Sequence, residues 1–200
     1  MRHDIPIILL AAGQSSRMRG RDKLTELIDA EPLLRRQARI ARAATKAAII
    51  VALPPAPHPR YDLLRGLDVT PLPVPDAAEG INASLRAGFA ALPSSSLAAM
   101  ILLADLPELT EFDLNCVLQS VDLNTKYTIW RGATSDGKAG HPTVFAACHF
   151  DRIAQMSGDT GAKEIIAQAQ AETLIVPLPE NRARLDLDTP EAWAAWRAAR

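Results

Sequence analysis

Short runs rich in Val, Ile and Leu recur along the chain, and each is followed by a stretch in which apolar residues return every three or four positions. The runs predict strands near 5–11 (IPIILLA), 46–53 (KAAIIVAL), 69–74 (VTPLPV), 97–104 (LAAMILLA), 126–131 (KYTIWR), 142–146 (PTVFA) and 172–178 (ETLIVPL). The periodic stretches predict helices over 31–45, 59–66, 79–92, 110–121, 149–156, 160–170 and 189–199. Several runs are apolar at every position instead of alternating, as strands covered on both faces are. Regular alternation with helices then implies an α/β fold, a parallel sheet between helical layers. Ligands of such a sheet gather at the carboxyl ends of its strands, so residues that directly follow a strand carry the most weight.

The 200 residues, 48% of them hydrophobic, suit a single domain over 1–200 with a sizeable core. "PPAPHP" (54–59) and "PSSS" (93–96) read as loops too short to link domains, and no internal repeat is present. The 22 basic and 23 acidic residues nearly cancel, which argues against a nucleic-acid partner. Cys116 and Cys148 have neither C-x-x-C nor Cys/His spacing, so no disulfide framework or zinc site is expected and a reducing cytoplasm fits best. In "MRHDIPIILLAAG" Asp4 interrupts a short apolar run with no small-x-small cleavage site after it, so a secretory signal is not expected. No stretch reaches the length of a membrane span, and no membrane partner is expected.

The first strand leads into "LLAAGQSSRMRGRDKL" (9–24). Gly13 closes the strand, Gly20 lets the returning backbone approach a ligand, and Ser15, Ser16 and Arg17 offer amide, hydroxyl and guanidinium donors between them. The spacing excludes both G-x-G-x-x-G and G-x-x-x-x-G-K-[ST]. "RMRGRDK" also reads as a solvated basic loop. The buried strand ahead of it favours an anion site, with Arg17 and Lys23 as its cations and Arg19 and Arg21 toward solvent.

"MILLADLPELT" puts Asp105 at a strand exit where Pro107 blocks continuation of the sheet. Magnesium takes one or two carboxylates with waters and phosphate oxygens, which suits that position. A turn aspartate capping the next helix is the alternative, although Thr110 is the better cap. In "RLDLDTPEAW" Asp186 and Asp188 would share one face of an extended segment, and Thr189 or Asp188 would cap a helix opened by Pro190. "AAEGINASLRAGFAAL" sets Gly80, Asn82 and Ser84 at a helix amino end, where they could receive a nucleotide or simply cap and pack. "KAGHPTVF" places His141 in a loop just ahead of a strand, and "SGDTGAKEII" begins a helix with Asp159 or Thr160 as cap and Gly161 allowing close approach. Trp193 and Trp196 read as packing.

Leu9-Leu10-Ala11-Ala12-Gly13-Gln14-Ser15-Ser16-Arg17-Met18, then Gly20 and Lys23-Leu24, closely resemble the signature of the molybdenum cofactor nucleotidyltransferases. The resemblance continues in order through "EGINASL", the Asp-x-Pro at Asp105 (with Leu106 where methionine is commoner), "GHP", "GDTGAK" and "DLDTPEA". Two departures stand out: Lys163 replaces an arginine, losing a bidentate fork, and Ala30 replaces a glycine, so its turn avoids positive φ or carries strain.

The resemblance implies a three-layer α/β/α Rossmann-like fold, a mostly parallel sheet with an antiparallel strand, of the nucleotide-diphospho-sugar transferase type, forming one NTP transferase domain. It implies Mg2+-dependent transfer of CMP from CTP to the phosphate of molybdopterin with release of pyrophosphate. Ala12, where guanylyltransferases usually have glycine, points to CTP. Arg17, Lys23 and Asp105 are the implied catalytic residues. Leu10, Ala11, Ala12, Gly13, Ser15, Ser16, Gly80, Asn82 and Ser84 would join Arg17 and Lys23 around the nucleotide. Asp105, Asp186 and Asp188 would hold the metal, and His141 and Asp159 would lie on the acceptor side. The rivals are a GTP-dependent guanylyltransferase, a sugar- or polyol-phosphate nucleotidyltransferase and, in another class, a non-catalytic carrier that hands the cofactor to an apo-molybdoenzyme.

Overall fold

The computed structural model describes residues 4–158 and 160–200. In chain order the elements are β1 (Ile7–Leu10), β2 (Leu27–Ile28), β3 (Glu31–Pro32), α1 (Leu33–Ala44), β4 (Ile49–Leu53), α2 (Arg60–Leu63), β5 (Thr70–Pro73), α3 (Ile81–Ala90), β6 (Ala98–Leu103), α4 (Glu111–Gln119), β7 (Ile129–Ala133), β8 (Ala139–Ala146), α5 (Phe150–Ala154), α6 (Lys163–Gln168), β9 (Thr173–Pro177) and α7 (Pro190–Ala198). The main sheet runs β5-β4-β1-β6-β8-β7-β9. β8 is antiparallel to both of its neighbours and every other pair is parallel. The expected fold class is therefore the one observed.

The unbroken apolar runs are explained by burial on both faces. Ile7 and Leu9 of β1 pack into a layer built from α1, α4 and α7, whereas Ile8 and Leu10 face the opposite layer with α3, α5 and α6. Gly88 is a close-packing position on α3, because a Cβ there would lie 2.5 Å from Ile8 Cγ2.

The helix ends resolve the capping alternatives. Thr110 and Asp113 form a reciprocal capping box on α4, leaving Asp105 outside that helix. Thr189 caps α7 by accepting from the Ala192 amide at 3.1 Å, with Pro190 at the first turn, so Asp188 is free for other contacts.

Three local expectations need correction. The hairpin β2–β3 was not foreseen, because two-residue strands carry no periodic signal. Its turn residues Asp29 and Ala30 have φ of 50° and 64°, so Ala30 takes the strained option in a turn that demands positive φ at both positions. His141 lies within β8 instead of in a loop ahead of it; the strand extends back to Ala139, and the His141 amide donates to the Ala183 carbonyl at 2.8 Å. Helix α6 starts at Lys163 with Ala162 in the cap position, so Thr160 is not its cap; Asp159 lies outside the described residues. Among the described residues no helix is long and apolar enough to cross a membrane.

Candidate active site

Strand order fixes the crevice. From β1 the chain moves outward to β4 and β5, then returns to place β6 on the other side of β1. The loops after β1 and β6 therefore diverge at a topological switch point, where an open α/β sheet leaves room at its carboxyl edge. A cavity of about 350 Å³ opens there. Leu10, Ala11, Ala12 and Gly13 line it together with Gly80, Ser84, Lys23 and Asp105.

Lys23 is the meeting point of the two strand exits and the C-terminal segment. Its Nζ donates to Asp105 Oδ2 at 2.6 Å and to Asp188 Oδ1 at 2.5 Å. Burial pulls this ammonium toward neutrality, but the two carboxylates outweigh it and hold Lys23 above the ordinary lysine range. Asp186 joins the group through a side-chain hydrogen bond with Asp188. Burial and the adjacent Asp188 push Asp186 upward; Asp188, although burial acts in the same direction, is held down by Lys23 and Arg17. Arg17 is mostly exposed and pairs with Asp188, while Arg19 pairs with Glu191 and Arg21 with Glu26 near the surface.

Among the described residues no three His, Cys, Asp or Glu side chains form a ready cage for a metal. The donor set still fits magnesium, which needs only one or two carboxylates when phosphate oxygens and water complete its shell. Asp105 Oδ1 is buried with no hydrogen-bond partner, an unused acceptor at that spot.

The loop after β1 is held from beneath by a residue absent from the sequence-derived site. Arg60 is 2% exposed. Its Nε and one terminal nitrogen donate to the two oxygens of Asp22, both at 2.7 Å. Its other terminal nitrogen donates to the Ala11 carbonyl at 2.6 Å. Asp22 also accepts from Ser15 Oγ at 3.1 Å, and Ser15 Oγ accepts from the Lys23 amide at 3.3 Å. Both ends of the loop are thus tied to one guanidinium, and the Ser15 hydroxyl is engaged in that scaffold. Ser15 and Arg19 adopt φ of 53° on either side of the 3-10 turn Ser16–Met18, and Gly20 follows at 85°.

The C-terminal aspartates reach the site through a close backbone approach. A Cβ at Gly140 would lie 2.2 Å from the Ala183 carbonyl oxygen, so only glycine admits the segment that continues to Asp186 and Asp188. Asn82 is fully buried and donates to the Ser157 carbonyl at 2.7 Å; it is not among the residues lining the switch-point cavity. Ser16 lines a neighbouring depression beside Arg60. His141 faces a separate cavity on the β6–β8 side, and burial reinforced by Arg131 pulls its imidazole down to about 4. Arg60 was missed because it follows a proline-rich loop and makes no motif. Arg131 was missed because one cation in a strand has no spacing signature.

A mostly parallel sheet with a glycine-rich loop and a strand-exit aspartate at its switch point is the architecture of a nucleotidyltransferase. The chain belongs to the MobA-like NTP transferase domain family, whose pattern matches residues 7–173. Among curated proteins no sequence matches it. Solved structures share its fold at low identity. The manganese complex of Rv0371c from Mycobacterium tuberculosis H37Rv is 21% identical with a TM-score of 0.79, covering 96% of this chain and 97% of that one. A nucleotidyl transferase from Methanothermobacter, Mth528, is 16% identical with a TM-score of 0.77, covering 98% and 96%. CMP:2-keto-3-deoxy-manno-octonic acid synthetase complexed with CTP is 13% identical with a TM-score of 0.73, covering 98% of each chain.

Proposed function

We propose that residues 1–200 act as one cytoplasmic NTP transferase domain that transfers CMP from CTP to the phosphate of a molybdopterin-type cofactor and releases pyrophosphate. The observation that carries this reading is the convergence of Asp105 and Asp188 on Lys23, with Lys23 and Asp105 lining the switch-point cavity. A basic residue and carboxylates are gathered there without a nucleophile-and-base pair.

That inventory suits the chemistry. An oxygen of the acceptor phosphate forms a bond to the α-phosphorus of CTP while the bond to the bridging oxygen of the β-phosphate breaks. A phosphate monoester is already largely ionised at pH 7, its second pKa being about 6, so no general base is needed. What remains is positioning and charge neutralisation. The amides of 12–16 receive the triphosphate, and Lys23 and Arg17 balance the charge that builds on departing pyrophosphate. Gly80 and Ser84 face the nucleoside. Asp105 and Asp188, with Asp186 behind them, would hold Mg2+, which when bound supplies charge neutralisation at the α-phosphate. In its absence Lys23 is their counter-ion. An apo-molybdoenzyme is the recipient this reading implies. The manganese complex of Rv0371c and the CTP complex of the octonic acid synthetase, two solved structures of this fold, support a divalent ion and CTP as ligands. The test is pyrophosphate release from purified protein, magnesium and molybdopterin with CTP, GTP, ATP and UTP compared. Release with CTP supports the reading. Release with GTP alone makes the protein a guanylyltransferase, and binding without release makes it a carrier.

A further inference from the structure

Helix α1 buries Leu33, Leu34, Ala38, Ile40 and Ala41 in the core, and Gln37 is buried among them at 0% exposure. The Gln37 Nε2 donates to the Leu106 carbonyl at 2.9 Å, whereas its Oε1 is buried with no partner. A side chain that meets only part of its hydrogen-bonding capacity in a dry interior costs free energy, and a methionine would fill the space without that cost. Packing therefore does not account for a glutamine here, but the carbonyl that it holds does.

Leu106 directly follows Asp105, the carboxylate at the exit of β6. The peptide that joins Leu106 to Pro107 has no N–H, so its carbonyl is the one backbone group through which that unit can be tied. Among the described residues two donors reach it, Gln37 Nε2 at 2.9 Å and the Leu109 amide at a long 3.4 Å. The other ties of this loop lie to either side. The Ala104 amide donates to the Leu10 carbonyl at 3.1 Å, Trp196 Nε1 donates to Glu108 Oε1 at 2.8 Å, and Thr110 opens the capping box of α4. The backbone beside Asp105 is thus held chiefly by Gln37. The carboxylate itself has little slack, because Oδ2 accepts from Lys23 at 2.6 Å and Oδ1 is buried and unpartnered. A displacement of about 1 Å at such a group costs on the order of 100-fold in rate.

We propose that Gln37 is a positioning residue for Asp105. By fixing the Leu106 carbonyl it aims the carboxylate at Lys23 and, in the loaded site, at the divalent ion. The second of these aims rests on the proposed transfer reaction, and the first rests on the contacts above.

The test compares wild type with Gln37→Met, which fills much the same volume, and with Gln37→Leu as a second apolar replacement. The unpartnered Oε1 leaves together with the donor, so the urea midpoint is expected to stay or rise. Mn2+ affinity, read by electron spin resonance of the free aquo ion, should fall by about tenfold or more. The kcat of pyrophosphate release should fall by a similar factor while KM for CTP moves less than about twofold, since Gln37 does not line the nucleotide cavity. In metal-free 15N-labelled protein the Nζ resonance of Lys23 should shift in both variants, because its partner Asp105 has moved.

Wild-type Mn2+ affinity and an unmoved Lys23 resonance in folded variants, whatever happens to the urea midpoint, make Gln37 a structural residue only and overturn the proposal. Asp105→Asn serves as the control for the ion. If it binds Mn2+ as tightly as wild type, the metal reading fails. A shifted Lys23 resonance in Gln37→Met then still supports the positioning role, and an unshifted one overturns it.

Discussion

Replacing Arg60 by methionine removes one guanidinium and cuts every tie that holds the loop after β1 from below. The lost contacts are two donations to Asp22 at 2.7 Å, one to the Ala11 carbonyl at 2.6 Å and one to Ser15 Oγ at 3.3 Å. Removing one member of a buried ion pair typically costs about 3–5 kcal/mol, because the partner charge is left in a poor solvent. Asp22 retains the Leu24 amide and the Ser15 hydroxyl and its side chain is 24% exposed, which places the expected loss near the lower end, about 3 kcal/mol. Equilibrium urea unfolding measures it, with an unchanged m-value as the check that the two-state comparison holds. Asp22→Asn in the Arg60→Met background should restore about 1 kcal/mol or more, since the stranded charge is gone.

The pair also sets a pH dependence. Burial pushes the Asp22 carboxyl up, but Arg60 and the Leu24 and Ser15 donors hold it below the ordinary range. A carboxylate with a depressed folded pKa contributes fully above its unfolded value of about 3.9, and that contribution disappears as pH falls through the folded value. The stability gap between wild type and Arg60→Met should therefore shrink below about pH 4. A loss under about 1 kcal/mol at pH 7, or a gap that stays constant into acid, would refute the strut.

Ala30→Gly should stabilise the protein by about 0.5–1 kcal/mol and raise Tm by about 1–4 °C, because the turn needs positive φ and alanine resists it; an unchanged or lower Tm would count against the strained hairpin. Gly140→Ala should cost about 1–3 kcal/mol in urea unfolding and lower kcat strongly by displacing the segment that carries Asp186 and Asp188; activity equal to wild type would show that the approach is not needed. Lys23→Ala should weaken CTP binding by about tenfold or more and slow turnover, read by calorimetry and pyrophosphate release, whereas unaltered kinetics would return the loop to a solvated surface.

The sheet and its helices were legible because unbroken apolar runs mark strands buried on both faces and a 3.6-residue period marks helices, and all seven expected helices have counterparts near their predicted bounds. Lys23, Asp105 and Asp188 were legible because each follows a strand or precedes a helix, where a charged residue calls for an explanation. The supports were not. Arg60 and Asp22 lie 38 positions apart and meet only through the tertiary fold. Arg131 and Lys163 line one cavity from β7 and α6; Lys163 was visible only as a departure from a resembled motif, and Arg131 carries no local mark. Asn82, at a helix start, was read as receiving a nucleotide or as capping and packing; its amide nitrogen donates to the Ser157 carbonyl, while its Oδ1 is buried without a partner.

The most direct measurement follows the label of [α-32P]CTP in a single turnover with magnesium and molybdopterin, comparing wild type with Asp105→Asn. The account predicts that wild type moves the label onto the pterin in step with pyrophosphate release, and that Asp105→Asn moves almost none while still binding CTP. Label that stays in CTP, or an Asp105→Asn protein that transfers it at the wild-type rate, would contradict it.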